Sequence, residues 1–259
     1  MQEAVILEKR ASIAWVTLNR PDALNAIDEE VRKKLPAAIR AAEADSEVRV
    51  IVVRGAGTRA FCVGADIKEF AVVDAPTAYR QSRVYDHWIH AFDEARKPIV
   101  ASIHGHCLGG GLEIALACDL RIAARNASFG FPETGHGIIP GAGGSQRIAR
   151  VLGLGLALDL MLTGERIDAE RALSIGLVSR ITELDTLAEQ TLQLAERIAA
   201  KPPMATMFAK EAVRRGRELD LSSGLRLEID LLTHLINTED RLEAAAAFRE
   251  KRAPRFVGK

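Results

Sequence analysis

Pro98-Ile99-Val100-Ala101-Ser102-Ile103, then Gly109-Gly110-Gly111, then Leu112-Glu113-Ile114-Ala115-Leu116-Ala117-Cys118 is the stretch that decides the fold class. The first run is apolar and predicts a buried strand; the run after the glycines predicts a helix. Strand, glycine turn and helix in that order are the unit of an α/β chain built with crossovers. Such a helix start presents unpaired N–H groups at the positive end of the helix dipole. A carbonyl oxygen held there is stabilised as it becomes an enolate, by roughly 3 kcal/mol per donor in the transition state. A second donor is expected from the loop Phe61-Cys62-Val63-Gly64-Ala65-Asp66.

Outward from that stretch, the alternation continues. Ile13 to Leu18, Val48 to Val53 and Leu120 to Ala123 read as strands. Asn19-Arg20-Pro21-Asp22 is turn chemistry. Asp28 opens a helix to about Ala44, with Val31, Leu35, Ala38 and Ile39 on one stripe and Pro36 in its interior. Residues 56–64 read as a loop, 66–70 as a short helix and 76–96 as a long one. Beyond about residue 140 strands become scarce. Helices are expected over 144–152, 155–162, 168–175, 185–200, 204–216, 221–236 and 239–251, with a short strand at 177–181. The chain is α/β first and helical last, with Lys201-Pro202-Pro203 as the break.

Two glutamates stand beside structural punctuation. Glu113 closes the glycine run, on an apolar helix that should be buried, so its charge needs a purpose. Glu133 follows Phe129-Gly130-Phe131-Pro132, and the proline fixes the chain before it. Glycine lets backbone approach a ligand closely, and a carboxylate beside it is placed for proton transfer. Two of them predict an acid and a base.

Other chemistries find less support. Lys+Arg and Asp+Glu both number 35, which lacks the basic excess of a nucleic-acid binder; net neutrality fits self-association. Cys62, Cys107 and Cys118 form no C-x-x-C pair and read as reduced thiols of a cytoplasmic protein. Met1-Gln2-Glu3-Ala4-Val5 is not a targeting peptide, and the apolar runs are too short to span a membrane. G-x-G-x-x-G fails at Ile114 and again at Gln146, and the phosphate-cradling G-x-x-x-x-G-K-[ST] is absent. No G-x-S-x-G frame supplies a nucleophile. His87 and His90, or His104 and His106, lack a third metal ligand at fixed spacing. Lys251 to Lys259 holds four cations, an aromatic residue and no acid, which suits a phosphate and a stacked base.

These blocks together resemble the crotonase family, the enoyl-CoA hydratases and isomerases, nearly end to end. Asn19-Arg20-Pro21-Asp22-Ala23-Leu24-Asn25-Ala26 is similar to its N-terminal signature. Ala60 to Ile67 and His104 to Glu113 resemble its two oxyanion loops, and Phe129 to Glu133 and Ile139 to Arg147 match the block that follows. The resemblance implies an α/β spiral core of ββα turns over residues 1–200 and a helical region at 201–259 that builds trimers, often paired into hexamers. It implies oxyanion donors at the N–H groups of Ala65 and Gly110 and catalytic carboxylates at Glu113 and Glu133. Substrate contacts would fall at Ala23, Leu24, Ala60, Cys62, Gly64, Asp66, Ile67, Gly109 and Pro132, with Phe256 and Lys259 reaching a neighbouring subunit's coenzyme A. No metal or separate cofactor is implied, since coenzyme A is part of the acyl-CoA substrate, and no nucleic acid or membrane partner. A carboxylate pair implies a hydro-lyase acting on 2-enoyl-CoA thioesters. An enoyl-CoA delta-isomerase working through Glu133 or another crotonase-type acyl-CoA reaction, and a non-catalytic acyl-CoA-binding oligomer, are the other readings. One departure stands out: Thr134-Gly135-His136-Gly137 occupies a place where many hydratases carry aliphatic residues, and implies a branched, polar or ring-bearing acyl group.

Overall fold

A computed structural model describes residues 3–66, Thr77, Arg80 and 87–259. Its main sheet has six strands: β1 (Val5–Arg10), β2 (Ile13–Leu18), β3 (Val50–Gly55), β5 (Ile99–Ile103), β7 (Leu120–Ala124) and β10 (Arg180–Thr182), side by side in that order. β1 and β2 form an antiparallel hairpin, and every later neighbour is parallel. A second sheet runs β4 (Ala60–Cys62), β6 (His106–Leu108), β8 (Ser128–Gly130) and β9 (Ile167–Asp168); the first three are parallel and β9 is antiparallel.

The two sheets are built together. The chain makes β3 then β4, β5 then β6, and β7 then β8, each time placing one strand in the large sheet and one in the small. The helix α3 (Gly110–Ala117) follows β6, and α4 (Gly144–Leu152) follows β8 by way of a single-turn 3-10 helix, Glu133–His136. Each turn adds one parallel strand to each sheet. That is the ββα spiral implied by the resemblance, where the alternation of strand and helix alone indicates only crossovers.

Both faces of the central strands are covered, so Ile13–Val16, Val50–Val53 and Ile99–Ala101 read as unbroken apolar runs. Alternate residues Ile13, Trp15, Val50, Val52, Val100 and Ile122 meet Leu187, Leu194 and Ala195 of α7 (Leu187–Ala199). The opposite face, with Val16, Ile51, Val53, Ala101 and Ile103, packs in the main core with Val31, Leu35 and Ile39 of α1 (Glu29–Ala44) and with Leu112 of α3. Asp28 caps α1 by accepting the Val31 N–H at 2.8 Å. The connections are α2 (His90–Glu94), α5 (Leu154–Thr163) and α6 (Ala169–Ser174), and the chain ends in α8 (Pro203–Gly216), α9 (Leu221–Leu235) and α10 (Glu239–Glu250).

The expected helix at 66–70 lies almost wholly outside the described residues, as does much of the one at 76–96; of the latter, 90–94 is helical. The strand expected at 177–181 begins three residues later. Leu177 and Val178 are buried and turn back onto α6, both N–H groups donating to the Ala172 carbonyl. The expected loop 56–64 contains β4. No helix among the described residues is long and apolar enough to cross a membrane.

Candidate active site

Three parallel strands of the small sheet end next to one another, and the chain beyond each end supplies one part of the site. Ligands of α/β proteins gather at such carboxyl ends.

Beyond β4, Gly64 takes φ +94°, and a Cβ there would stand 2.9 Å from the Gly110 nitrogen. The conformation and the close approach both require glycine. Ile27 bridges this loop in parallel: its N–H donates to the Gly64 carbonyl at 2.8 Å and its carbonyl accepts from Asp66 N–H at 3.0 Å. A residue bracketed by such a pair turns its own N–H to the other side, so the Ala65 N–H faces away from Ile27. Arg20 fixes the arrangement by pairing with Asp28 at 3.0 Å and Asp66 at 3.1 Å.

Beyond β6, α3 starts at Gly110, whose N–H is a first-turn group with no intrahelical acceptor. Among the described residues, neither Gly110 nor Ala65 donates its N–H to a carbonyl. A Cβ on Gly110 would lie 3.7 Å from the Ala65 nitrogen. The two donors are therefore adjacent.

One turn into α3, Glu113 is only 4% exposed. Its Oε1 accepts the N–H groups of Ala142 at 2.6 Å and Gly144 at 2.8 Å. Donors of this kind favour the ionised carboxylate. They come from Gly141-Ala142-Gly143-Gly144, a run that is conspicuous in the sequence but whose cradle function is visible only in three dimensions. Its signal in hindsight is the start of a helix without a side-chain cap.

Beyond β8, Pro132 leads into Glu133, whose carboxyl lies against Gly109: a Cβ there would be 2.9 Å from Glu133 Oε1. Glu133 Oε2 is buried and has no hydrogen-bond partner among the described residues. Burial pushes this carboxyl up to about 7; its own main-chain N–H opposes the shift, and the negative charge of Glu113 adds to it. Two main-chain donors thus favour the charged form of one carboxyl and burial favours the neutral form of the other, which sets a base beside an acid.

The remaining expected contacts are spread around this centre. Ala23 and Leu24 form a half-buried turn, with Leu24 and Asn25 at φ 52° and 57°. Non-glycine residues there are strained, and Asn25 holds the turn by donating to the Ala56 and Ala60 carbonyls. Ala60 and Cys62 are buried in β4, and Cys62 Sγ accepts the Gly64 N–H at 3.4 Å. Burial pushes the Cys62 thiol up to about 12, which keeps it unreactive. Ile67 lies outside the described residues. Phe256 and Lys259 are not brought to the glutamates: Asp240 accepts the N–H groups of Val257 and Gly258, and Arg49 donates to the Phe256 carbonyl. Thr134, Gly135, His136 and Gly137 are exposed. A cavity of about 670 Å³ beside Trp15, Arg54 and His104, and another of about 1000 Å³ beside Asp240 and Arg252, are lined by neither glutamate. Converging donors mark the site better than cavity size does.

Known proteins share this sequence pattern and fold. The sequence model of the enoyl-CoA hydratase/isomerase family matches residues 8–259. The short-chain-enoyl-CoA hydratase of Clostridium acetobutylicum is 40% identical, over 96% of this chain and 95% of its own length. The mitochondrial enoyl-CoA hydratase of Pongo abelii is also 40% identical, over 98% and 88%. A crystal structure of an enoyl-CoA hydratase from Bacillus anthracis has TM-score 0.93 at 37% identity, covering 99% of this chain and 100% of that one.

Proposed function

This chain belongs to the enoyl-CoA hydratase/isomerase family, and we propose that it adds water reversibly across the double bond of 2-enoyl-CoA thioesters, giving 3-hydroxyacyl-CoA. The observation that carries this reading is the meeting of a buried carboxyl cradled by two main-chain donors, a half-buried carboxyl raised by burial, and two adjacent main-chain N–H groups that donate to no carbonyl among the described residues.

The thioester oxygen accepts from Ala65 and Gly110 N–H, which withdraw charge from the conjugated double bond. The Glu113 carboxylate takes a proton from water as its oxygen bonds to C3. The electron pair moves through C2 to the thioester oxygen, and the two amides hold the resulting enolate. Glu133 delivers its proton to C2 and the carbonyl reforms. Every electron pair is accounted for within substrate and water, so the reaction calls for no redox cofactor or metal. Isomerisation needs one shuttling carboxyl and leaves Glu113 without a task, so the pair favours hydration. In the test, crotonyl-CoA loses its conjugated absorbance on mixing with the protein. An unchanged absorbance, or activity confined to generating that absorbance from a 3-enoyl thioester, overturns the assignment.

Residues 201–259 act in this reading as a trimerisation region. On α9, Leu221, Leu225, Ile229 and Leu232, and Ile236 just beyond it, recur at helical spacing and stay exposed, Leu221 at 79%. Phe248 on α10 is 86% exposed. Apolar area on this scale marks an interface, and trimers, or trimers paired into hexamers, would cover it. Sedimentation is expected to give three or six times the mass of the chain; a monomer at micromolar concentration rules this out. Three buried, unpaired cysteines support a reducing, cytoplasmic setting.

A further inference from the structure

We propose that His87 is a positioning residue for Glu113, acting through the peptide unit between Gly141 and Ala142; this rests on the hydratase reading above. His87 is 7% exposed. Its Nδ1 accepts the Ile89 N–H at 3.3 Å, which assigns the ring proton to Nε2. Nε2 then donates to the Gly141 carbonyl at 2.9 Å. That carbonyl and the Ala142 N–H are opposite ends of one planar trans peptide, and the Ala142 N–H donates to Glu113 Oε1 at 2.6 Å. A single rigid plate therefore connects the imidazole to the carboxylate.

The plate needs an anchor. It sits in Gly141-Ala142-Gly143-Gly144, whose glycines let the backbone rotate at low cost, and Gly141 is exposed. Rotated, the peptide would turn its carbonyl oxygen toward the Glu113 carboxylate. The donor on His87 selects the productive orientation, and hydrogen bonds in series polarise one another. The helix just after His87 grips α4 at a second point, where both carboxylate oxygens of Asp93 on α2 accept from Arg147 Nη2 at 2.9 and 2.7 Å. That ion pair holds the helix but does not touch the peptide plate, so losing His87 frees the plate without releasing α4.

The test compares His87→Leu, His87→Asn and His87→Gln in crotonyl-CoA hydration. Gln carries an amide N–H about where Nε2 sits; Asn stops one bond short, and Leu has no donor. A small displacement of a catalytic base lowers kcat sharply, while the thioester is held elsewhere. Leu and Asn variants should lose about tenfold or more in kcat with KM within twofold, and Gln should recover to within about threefold of the unmodified protein. A Leu variant within twofold of the unmodified protein overturns the proposal. So does a Gln variant no better than Asn, or a loss confined to KM. Crystal structures of the Leu and Gln variants decide the geometry separately, through the Ala142 N to Glu113 Oε1 contact: it must open beyond hydrogen-bonding distance in Leu and persist in Gln. Should the unmodified protein fail to hydrate crotonyl-CoA, the functional reading falls, and these structures still judge His87.

Discussion

Glu113→Gln is expected to lower kcat for crotonyl-CoA hydration by roughly 10³–10⁴-fold, the scale on which a positioned general base acts. The variant is clean because glutamine keeps the shape and one acceptor oxygen. That oxygen still receives the Ala142 and Gly144 N–H groups now held at 2.6 and 2.8 Å, so the loop after Pro140 stays in place. What disappears is the ability to take a proton from water. The loss corresponds to about 4–5.5 kcal/mol of barrier at about 1.4 kcal/mol per decade. KM should change little, since the thioester is held by main-chain donors that the substitution leaves alone. A variant retaining more than a tenth of the turnover would remove Glu113 from the chemistry. Glu113→Ala is the poorer experiment: it strands two buried N–H donors, at about 1–3 kcal/mol each, and confuses loss of the base with loss of the cradle.

The centre of the large sheet is legible in the sequence because Ile13–Val16, Val50–Val53 and Ile99–Ala101 are continuous apolar side chain buried on both faces; the edge strands β1 and β10, with Glu8-Lys9-Arg10 and Arg180, show no such run. The small sheet is not. Ala60–Cys62, His106–Leu108 and Ser128–Gly130 have three residues each, too few for any period to register. They are strands because parallel neighbours satisfy their backbones, and that pairing is non-local. Composition alone therefore favours an open sheet, and the second sheet enters only through the similarity of whole blocks to a known family.

The site divides in the same way. Glu113 and Glu133 stand out because a charge on an apolar helix and a carboxyl after Phe-Pro both break local expectation. Gly64 and Gly109–Gly110 are visible as glycines, but that Gly64 approaches the Gly110 nitrogen is a fact of β4 lying beside β6. The Ala142 and Gly144 donors are marked in the sequence only as a glycine run, and His87 behind them carries no local signature. They lie 29, 31 and 26 positions from Glu113 (142 − 113, 144 − 113 and 113 − 87), and only the packing of α4 against α3, and of His87 against the loop at Gly141, joins them.

Glu133→Gln is expected to cost roughly 10²–10⁴-fold in hydration, and its pH dependence separates it from the first variant. In the unmodified protein Glu133 must carry a proton to give to C2, and burial holds its carboxyl up to about 7. Hydration kcat/KM should therefore fall as pH rises through about 7, and that limb should vanish in the glutamine variant, whose residual rate has no proton on residue 133 to lose. A limb that survives unchanged would assign it to another group. Stability gives a second reading of the same carboxyl. A group raised in the folded state adds nothing below its unfolded value near 4.5, where it is protonated in both states. Between there and about 7 it increasingly disfavours folding, because the unfolded chain ionises first; above that the cost is constant. The melting temperature of Glu133→Gln relative to the unmodified protein should thus climb between about pH 4.5 and 7 and then level off, by an amount equivalent to roughly 3 kcal/mol. Any fixed penalty for burying the glutamine amide shifts the whole curve without changing its shape. A difference that is flat with pH would mean that Glu133 titrates as an ordinary solvated carboxyl, and an acid of that kind would be ionised, with no proton for C2, at neutral pH.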